Sequence, residues 1–250
     1  MSQHEIQLYE PIHCLKQIDQ DIWIVDGAIV HMSMYGMKIP FSTRMTLVRL
    51  SNGELWCHSP IELTTELKAQ VDALGRVQHL ISPNKIHYAH INAWSQAYPG
   101  AIAWASPGVR ERAAQQKIDV RFDADLGDEP PPEWIAELDQ LIFRGSRFME
   151  EVVFFHRKSE TLILADLIEN FELNKVGKQL RWLVKLAGNA DPDGKAPLDL
   201  RVTFWGQKEQ ARDDFHRMLK WSPEKVILAH GRWYETNGTA ELRRAFRWLN

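Results

Sequence analysis

The feature of this sequence that most constrains its fold is a succession of strand-like and helix-like segments between residues 77 and 116. Residues 77–82 and 101–105 have the apolar, β-branched character of short strands, whereas residues 86–98 and 109–116 have the character of helices. Strands that alternate with helices are typical of layered α/β folds. The sequence therefore predicts an α/β protein in which helices cover a sheet.

Two β-hairpins are predicted on either side of this region. Residues 45–50 and 54–58 are strand-like and are joined by a turn that contains Asn52-Gly53. Asn-Gly favours the positive φ angles that a tight hairpin turn requires. Residues 151–156 and 161–165 are predicted to form the second hairpin.

The remaining elements are predicted from the same kinds of pattern. Residues 61–74 carry apolar side chains at a spacing of three to four, which is typical of one helix face, and Gly75 is placed to end that helix. The others are a strand at 21–25 that ends at the turn dipeptide Asp26-Gly27, strands at 138–143 and 225–228, and helices at 173–186, 207–221 and 239–249.

The chain is predicted to form one domain over residues 1–250. It contains no internal repeat of fixed period, and the polar loop at 188–197 is too short for a domain linker. Residues 171–200 are expected to form a helical insertion or a lid.

Composition and charge exclude several classes of protein. With 44% hydrophobic and 25% charged residues, the chain can bury a sizeable core, which excludes a disordered protein. The formal net charge of −3 provides no basic field, so nucleic acid is not expected as a partner. Cys14 and Cys57 lie in different segments without a disulfide or zinc-ribbon spacing, and reduced, buried thiols are expected.

The sequence also indicates a compartment. The first residues, MSQHEIQLYEPIH, lack the basic and apolar regions of a secretory signal. No apolar run reaches the roughly 18 residues that a membrane span requires. A cytoplasmic protein without a membrane partner is therefore expected, and its oligomeric state stays open.

Histidine is the most informative residue type here, because its neutral imidazole is both a common metal ligand and an acid or base near neutral pH. Most of the ten histidines have no partner at a ligand spacing, so structural or solvated roles are expected for them. These are His4 and His13 in an N-terminal arm, His216 on a polar helix face, and His31, His58, His79 and His156 in or beside strands.

Four other residues have positions typical of a metal site. His87 and His90 are three apart at the predicted start of a helix, which would place both imidazoles on one helix face. Asp166 ends the apolar strand TLILA, and His230 ends the strand VILA. Binding crevices form at such strand ends, where a carboxylate is costly to bury unless it is paired or binds a cation. Because H-x-x-H alone is a weak signal, structural roles for the two neighbouring histidines stay open.

The order of these elements resembles the metallo-β-lactamase superfamily, and most closely a branch of it that is poorly characterised. The resemblance extends over nearly the whole chain and is carried by a strand ending in a histidine-containing turn, a hairpin ending in Asp and a late strand ending in His-Gly. The phrases that carry it are RMTLVRLSNGELWCHSPIEL, HLISPNKIHYAHI, SPG and TLILADLIEN. The resemblance implies a four-layer αββα sandwich, with two mixed β-sheets face to face and helices outside.

The chain departs from the superfamily's metal motif in one half of the site. The signature H-x-H-x-D-H corresponds to Ser82 through His87, so Ser82 and Asn84 replace two histidines and Ile86 replaces the carboxylate. A further histidine would lie near Gly145-Ser146, where this chain has none. The resemblance therefore implies that one of the two metal positions is lost.

The residues of the other metal position are largely present. Asp166 matches the superfamily's bridging aspartate, and His230 in ILAHGR matches its final histidine. The resemblance implies one metal bound by His87, Asp166 and His230, with His90 as a stand-in for the carboxylate that is missing at Ile86.

Such a site suggests a metal-dependent hydrolase of a small-molecule substrate, with Asp166 and His87 as catalytic residues. Two or three histidines and one carboxylate, with a position left for water, are typical of catalytic zinc and also suit iron or manganese. A bound divalent cation would lower the pKa of water and polarise a carbonyl or phosphoryl oxygen. The substrate stays undefined, because one fold supports many reactions.

A metal-free protein on the same fold is the alternative. Ser82 and Asn84 would then fill the place of the metal ligands with hydrogen bonds. The protein would bind a small molecule or a partner protein without catalysis, and no cofactor would be required.

Several residues beside the proposed ligands are candidates for substrate binding, namely Asn84, Lys85 and Arg232. An ion pair with a neighbouring carboxylate explains Arg232 equally well. The hydroxyl of Ser59 could face the site, although a structural turn also explains that residue. The chain has no G-x-S-x-G, P-loop or G-x-G-x-x-G motif, so serine acyl transfer, nucleotide hydrolysis and dinucleotide redox chemistry lack support.

Overall fold

Two β-sheets form the centre of the molecule. The computed structural model describes residues 6–34 and 37–250, so His4 of the predicted arm lies outside the described residues. The first sheet contains, in chain order, Lys16–Asp19 (β1), Ile22–Met34 (β2), Met37–Arg49 (β3), Glu54–His58 (β4), Arg76–Ser82 (β5), Ile102–Ala105 (β6) and Ala124–Asp125 (β7). The second contains Leu138–Phe143 (β8), Glu151–His156 (β9), Thr161–Ile163 (β10) and Lys225–Ile227 (β11), in the order β11-β10-β9-β8.

Both sheets are mixed, as predicted. Strands β1 to β4 pair antiparallel, and β4 to β7 pair parallel. In the second sheet β8, β9 and β10 pair antiparallel, whereas β10 and β11 are parallel. The two predicted hairpins are therefore confirmed as β3–β4, which turns at Asn52-Gly53, and β9–β10.

The alternation of side chains along each strand creates two buried faces. Ile22, Ile24 and Trp56 point into a core shared with Phe154 and Ile163 of the second sheet. Their sequence neighbours point to the other face of the first sheet, because successive side chains of a strand lie on opposite sides. These neighbours, Trp23, Val25, Leu55 and Cys57, pack in a second core beneath helices.

Helices cover the outer faces of both sheets. Thr65–Leu74 (α1), Ile91–Ala97 (α2) and Val109–Gln115 (α3) pack on the first sheet. Leu198–Val202 (α5), Lys208–Lys220 (α6) and Gly238–Ala245 (α7) pack on the second, and Arg181–Ala187 (α4) lies beside them. The predicted four-layer αββα sandwich is confirmed. No helix within the described ranges combines the length and the apolar character that crossing a membrane requires.

Helix α1 shows how local sequence determines where an element begins. The hydroxyl of Thr64 accepts a hydrogen bond from the backbone N–H of Leu67, so the helix begins after Thr64 and not at residue 61 as predicted. This cap satisfies a donor that would otherwise lack a helical partner.

We expect Thr64→Ala to lower the free energy of unfolding by about 1 kcal/mol, because it removes this cap. Urea denaturation measures the effect. Thr65→Ala, which changes the exposed neighbouring residue, is the matched control and should change stability by less than about 0.5 kcal/mol. Equal effects of the two substitutions would contradict the capping role.

The predicted turn at Asp26-Gly27 is wrong, because strand β2 continues through it. Asp26 is buried and forms ion pairs with Lys16 and Arg44, so its carboxylate has a partner inside the sheet. A β-carbon at Gly27 would lie 2.5 Å from the hydroxyl oxygen of Thr43. The glycine therefore allows close packing between β2 and β3 and does not form a turn.

Two predicted helices begin later than expected. Residues 84–90 lie outside a helix, with Asn84 in a β-bridge to Glu151 and turns at 85–86 and 89–90, so α2 begins at Ile91 and not at residue 86. Residues 173–180 are also outside a helix, because Val176 forms a β-bridge with Ile6, and α4 begins only at Arg181.

Residues 169–171 connect the 171–200 segment to the turn that carries His230. On one side, the backbone N–H of Phe171 donates to the carbonyl of Asn189 at 2.9 Å. On the other side, the backbone N–H of Arg232 donates to the carbonyl of Asn170 at 2.8 Å. Gly231 has a φ of +83°, and a β-carbon there would collide with the backbone of Asn170. This close contact requires glycine next to His230.

Candidate metal centre

Three predicted residues come together at one edge of the sandwich. The Nε2 atom of His87 lies 3.0 Å from Oδ2 of Asp166, and Nε2 of His230 lies 3.2 Å from Oδ1 of the same carboxylate. One potential ligand atom from each residue lies within 4.8 Å of the other two. Among the described residues, this is the one group of three or more histidine, cysteine or acidic side chains with such spacing.

The topology explains why these residues meet. Asp166 follows β10 and His230 follows β11, and these neighbouring strands are parallel, so their carboxyl ends lie at the same edge. His87 lies in the turn after β5, which belongs to the other sheet. The site therefore lies where both sheets of the sandwich end.

The second nitrogen of each imidazole has its own partner. The Nδ1 atom of His230 lies 2.5 Å from the backbone carbonyl oxygen of Ser42, and that of His87 lies 2.7 Å from Oγ of Ser59. A carbonyl only accepts, so Nδ1 of His230 carries the proton and donates it. These outer contacts turn both Nε2 atoms toward Asp166, as outer hydrogen bonds do for metal-ligating histidines. The hydroxyl of Ser59 thus faces the site.

The charges in the site favour an ionised Asp166. Burial raises the pKa of its carboxyl, but the charge of His87 and hydrogen bonds from both histidines outweigh this, so the pKa lies well below its usual range. For His87, burial lowers the pKa of the imidazole, and the charge and hydrogen bond of Asp166 reverse this to a net increase. The site thus holds a buried anion between two imidazoles.

Asn84 holds the carboxylate of Asp166 in place through a hydrogen bond. Its amide nitrogen donates to Oδ2 of Asp166 at 2.7 Å and to Oε2 of Glu151 at 3.0 Å, while its amide oxygen accepts from the backbone N–H of Ile86. The side chain is fully buried. These contacts differ from the substrate contact predicted for Asn84, because both donors and the acceptor are occupied within the protein.

Glu151 is the most important residue of the site that the sequence interpretation missed. Its carboxylate is fully buried and accepts hydrogen bonds of 2.8 Å from the backbone N–H groups of Ala165 and Asp166. Burial, followed by the charge of Asp166, raises the pKa of Glu151 to about 7. The available signal was an acid at the start of the otherwise apolar strand EVVFF.

Glu169 is a second buried acid and follows Asp166 by three residues. Glu169 accepts a hydrogen bond of 2.5 Å from the amide nitrogen of Asn189, which belongs to the 171–200 segment. The pKa of Glu169 is raised to about 8. Burial is the largest cause, the charge of His230 opposes it, and the charge of Asp166 adds to it. The segment is therefore connected to the site through a side chain as well as through the backbone.

His90 does not join the group. It precedes α2 at the helix N-cap, and the chain from His87 to His90 is not helical, so the two imidazoles do not share a helix face. Burial lowers the pKa of His90, which is also influenced by the charges of Glu62 and His13. The predicted stand-in for the missing carboxylate is therefore not placed at the site.

The other two predicted substrate contacts lie near the ligands but outside the group. The ammonium of Lys85 lies 4.2 Å from the centre of the Phe148 ring. The guanidinium of Arg232 is half exposed, lies 3.7 Å from Asp191 and borders a cavity of about 310 Å³ with Tyr9 and Trp233. An ion pair thus accompanies Arg232, as the alternative interpretation expected.

The positions of the missing superfamily ligands are filled by the protein. The hydroxyl of Ser82 donates to the carbonyl of Asn84 at 3.1 Å, and Ser146 contacts the hydroxyl of Thr203 at 2.6 Å. Gly145 has a φ of +101°, and a β-carbon there would lie 2.8 Å from the backbone oxygen of Gln207. A larger residue at position 145 would therefore require the backbone to move.

Comparison with solved structures identifies the fold as metallo-β-lactamase-like. The DIM-1 metallo-β-lactamase exposed to ceftazidime has a TM-score of 0.63 and 13% identity, with 98% of each chain covered. A metallo-β-lactamase from Pontibacter korlensis has a TM-score of 0.61 and 14% identity, with 97% of this chain and 99% of that chain covered. Rubredoxin oxygen:oxidoreductase from Desulfovibrio gigas has a TM-score of 0.64 and 12% identity, with 94% of this chain and 61% of that chain covered.

The family follows from the sequence match. Residues 20–176 match the model of a domain of unknown function, DUF4336, and the chain belongs to this family. No curated protein matches the chain. At identities of 11–14%, the structural likeness establishes the fold, and the chemistry has to be argued from the site itself.

Proposed function

We propose that this protein is a metal-dependent hydrolase of a small molecule, with one divalent cation held by His87, Asp166 and His230. The observation that carries the proposal is the orientation of the three side chains. Two imidazole Nε2 atoms face one buried carboxylate, and both imidazoles are fixed from behind.

The donor atoms fit a metal because they need a cation between them. With Nδ1 of His230 protonated, a neutral imidazole would direct the lone pair of Nε2 toward a carboxylate oxygen 3.2 Å away. Either a proton or a metal ion relieves that repulsion. Two imidazole nitrogens and a carboxylate are a donor set that suits zinc, iron or manganese.

Each residue of the site has a separate role in this proposal. A bound divalent cation would supply an activated water and polarise a carbonyl or phosphoryl oxygen. Asp166 and His87 are the proposed catalytic residues, and Asn84 and Glu151 hold Asp166 in place. Lys85 and Arg232 are the proposed contacts for an anionic group of the substrate, since both carry positive charge and lie within two residues of a ligand in the chain.

Metal content tests the proposal. Purified protein incubated with zinc, iron or manganese should retain about one equivalent by elemental analysis, and His87→Ala or His230→Ala should abolish this, because each removes one of three donors. His216→Ala is the matched control, since His216 is an exposed histidine of α6. Metal content in His230→Ala equal to that of the wild type would refute the site. Hydrolase substrates are then screened with the metal that binds.

The alternative is a metal-free binding protein. It is favoured by the distances of 3.0 and 3.2 Å between Asp166 and the two histidines, which are compatible with hydrogen bonds from protonated imidazoles. A ligand that binds only the folded state raises the melting temperature. A melting temperature that changes neither with chelator nor with added divalent metal would support this alternative.

A further inference from the structure

Exposed apolar side chains are concentrated on one part of the surface. Within the described residues, eight large hydrophobic side chains are strongly exposed, and five of them lie between residues 182 and 205. Trp182, Leu186 and Trp205 are 61%, 65% and 77% exposed. Together with Leu198 and Val202 they define what we call the α4–α5 surface.

These side chains are not needed for the core. In α4, Val184 packs with Leu180 against a small buried cluster that contains Phe171 and Val176. In α5, Leu200 packs into the core beneath the second sheet. Trp182 and Leu186 are each two residues from Val184, and Leu198 and Val202 are each two residues from Leu200. A separation of two residues is about 200° around a helix, so the exposed side chains point away from the core.

The segments that carry the exposed residues contact one another. The guanidinium of Arg201 in α5 donates to the carbonyl of Ala187 at the end of α4. After α5, the backbone N–H of Arg147 donates to the carbonyl of Thr203, which brings exposed Phe148 beside this segment. Phe148 in turn contacts Lys85, two residues before His87. A series of contacts thus connects the end of α5 with the turn that carries His87.

Residues 173–190, which include α4, are basic, whereas residues 191–205 carry three aspartates beside Lys195 and Arg201. Residues 173–190 contain four positive charges and no acidic residue. The four are Lys175, Lys178, Arg181 and Lys185. Within the part of the chain that the structure describes, none of them forms an ion pair, and Lys178 and Lys185 are exposed. Asp191 and Asp193 form ion pairs with arginines outside this region. The apolar side chains of α4 are thus accompanied by positive charge that has no acidic partner in the described part of the molecule.

We propose that the α4–α5 surface docks on an anionic lipid surface. Exposed tryptophan and leucine next to lysine and arginine is the composition of segments that lie in the membrane interface. A second copy of the chain fits less well, because a twofold contact would bring the two basic segments together and like charges repel.

Docking of this kind requires no membrane-spanning helix. The apolar side chains enter the headgroup region, while the lysine and arginine side chains pair with lipid phosphates. The absence of a long apolar run, on which the expectation of no membrane partner was based, bears only on spanning segments. The proposal does not depend on whether His87, Asp166 and His230 bind metal.

Vesicle co-sedimentation of the full chain tests the proposal. The probes are vesicles of phosphatidylcholine alone and of phosphatidylcholine mixed with phosphatidylglycerol. We expect at least about tenfold stronger partitioning onto the anionic vesicles, and a decrease of this preference with added salt. Lys178→Glu with Lys185→Glu should abolish the preference. Trp182→Ala with Trp205→Ala should weaken binding at least about tenfold.

Two exposed residues elsewhere provide matched controls. Lys117→Glu reverses an exposed charge near α3, and Ile135→Ala removes an exposed apolar side chain outside the surface. Both should bind like the wild type, and unchanged melting temperatures confirm that all variants fold. The proposal is overturned if the wild-type protein fails to sediment with anionic vesicles, or if its binding to them does not change with salt. It is also overturned if the wild type does not bind vesicles but forms a dimer in ultracentrifugation, and if Trp205→Ala dissociates that dimer.

Discussion

Glu151→Ala should lower the free energy of unfolding by about 3–5 kcal/mol. The carboxylate is fully buried and accepts hydrogen bonds from the backbone N–H groups of Ala165 and Asp166 and from the amide of Asn84. Alanine would leave both backbone N–H groups and one of the two amide N–H groups of Asn84 without a partner, and it would open a cavity behind the site. Because one of the donors is the N–H of Asp166 itself, metal content should fall together with stability.

Urea denaturation and elemental analysis measure these two effects. Glu150→Ala is the matched control, because it removes a neighbouring, partly exposed glutamate. It should cost less than about 0.5 kcal/mol. Glu151→Gln keeps the volume and one acceptor, so an intermediate loss is expected. If Glu151→Ala were as stable as Glu150→Ala, the hydrogen bonds assigned to Glu151 would be wrong.

Arg44→Met should cost a similar amount, about 3–5 kcal/mol. Arg44 lies in β3 of the first sheet and is 3% exposed. Its Nη1 atom donates to the carbonyls of Leu228 and Gly231, both at 2.8 Å, and its Nη2 atom lies 2.7 Å from the carboxylate of Asp26. Methionine fills much of the space but leaves two carbonyls and part of the charge of Asp26 without a partner. Leu228 and Gly231, on the two sides of His230, would lose these hydrogen bonds to the first sheet, and the contacts of Ser42 with His230 and Gly231 would remain.

A double-mutant cycle separates charge from packing at this position. Arg44→Met with Asp26→Leu removes both members of the buried ion pair, and we expect it to recover part of the stability lost in Arg44→Met. Denaturation of the four proteins gives the coupling free energy. Strictly additive losses would show that Asp26 and Arg44 do not stabilise each other.

The layers of the fold could be predicted because strand and helix patterns are local. The Asn52-Gly53 hairpin and the β9–β10 hairpin are encoded by adjacent residues, and both occur in the structure. The meeting of Asp166 and His230 could be expected because each follows a short apolar strand. The two helices that begin late depend on contacts that are not local, such as the bridge between Val176 and Ile6.

The parts of the site that escaped prediction depend on contacts between distant residues. The carbonyl of Ser42 fixes His230 across 188 positions of the chain, and a backbone carbonyl has no sequence signature. Glu151 reaches Asn84 across 67 positions. The non-helical chain from His87 to His90 could not be distinguished from a helix, because the hydrogen bonds of Asn84 within the buried network determine the path of the chain there.

The hydrogen bond between Phe171 and Asn189 has a consequence for how this chain tolerates changes in length. Residues 172–188 leave the sandwich at Phe171 and rejoin it at Asn189, and these two residues are hydrogen-bonded to each other. The chain between them can therefore lengthen or shorten without altering the separation of its ends. The backbone pairing of Asn170 with residues 230–232 lies on the opposite side of that junction. Insertions and deletions between residues 172 and 188 are therefore the changes that the geometry of His230 can best absorb, and relatives that differ in length should differ there.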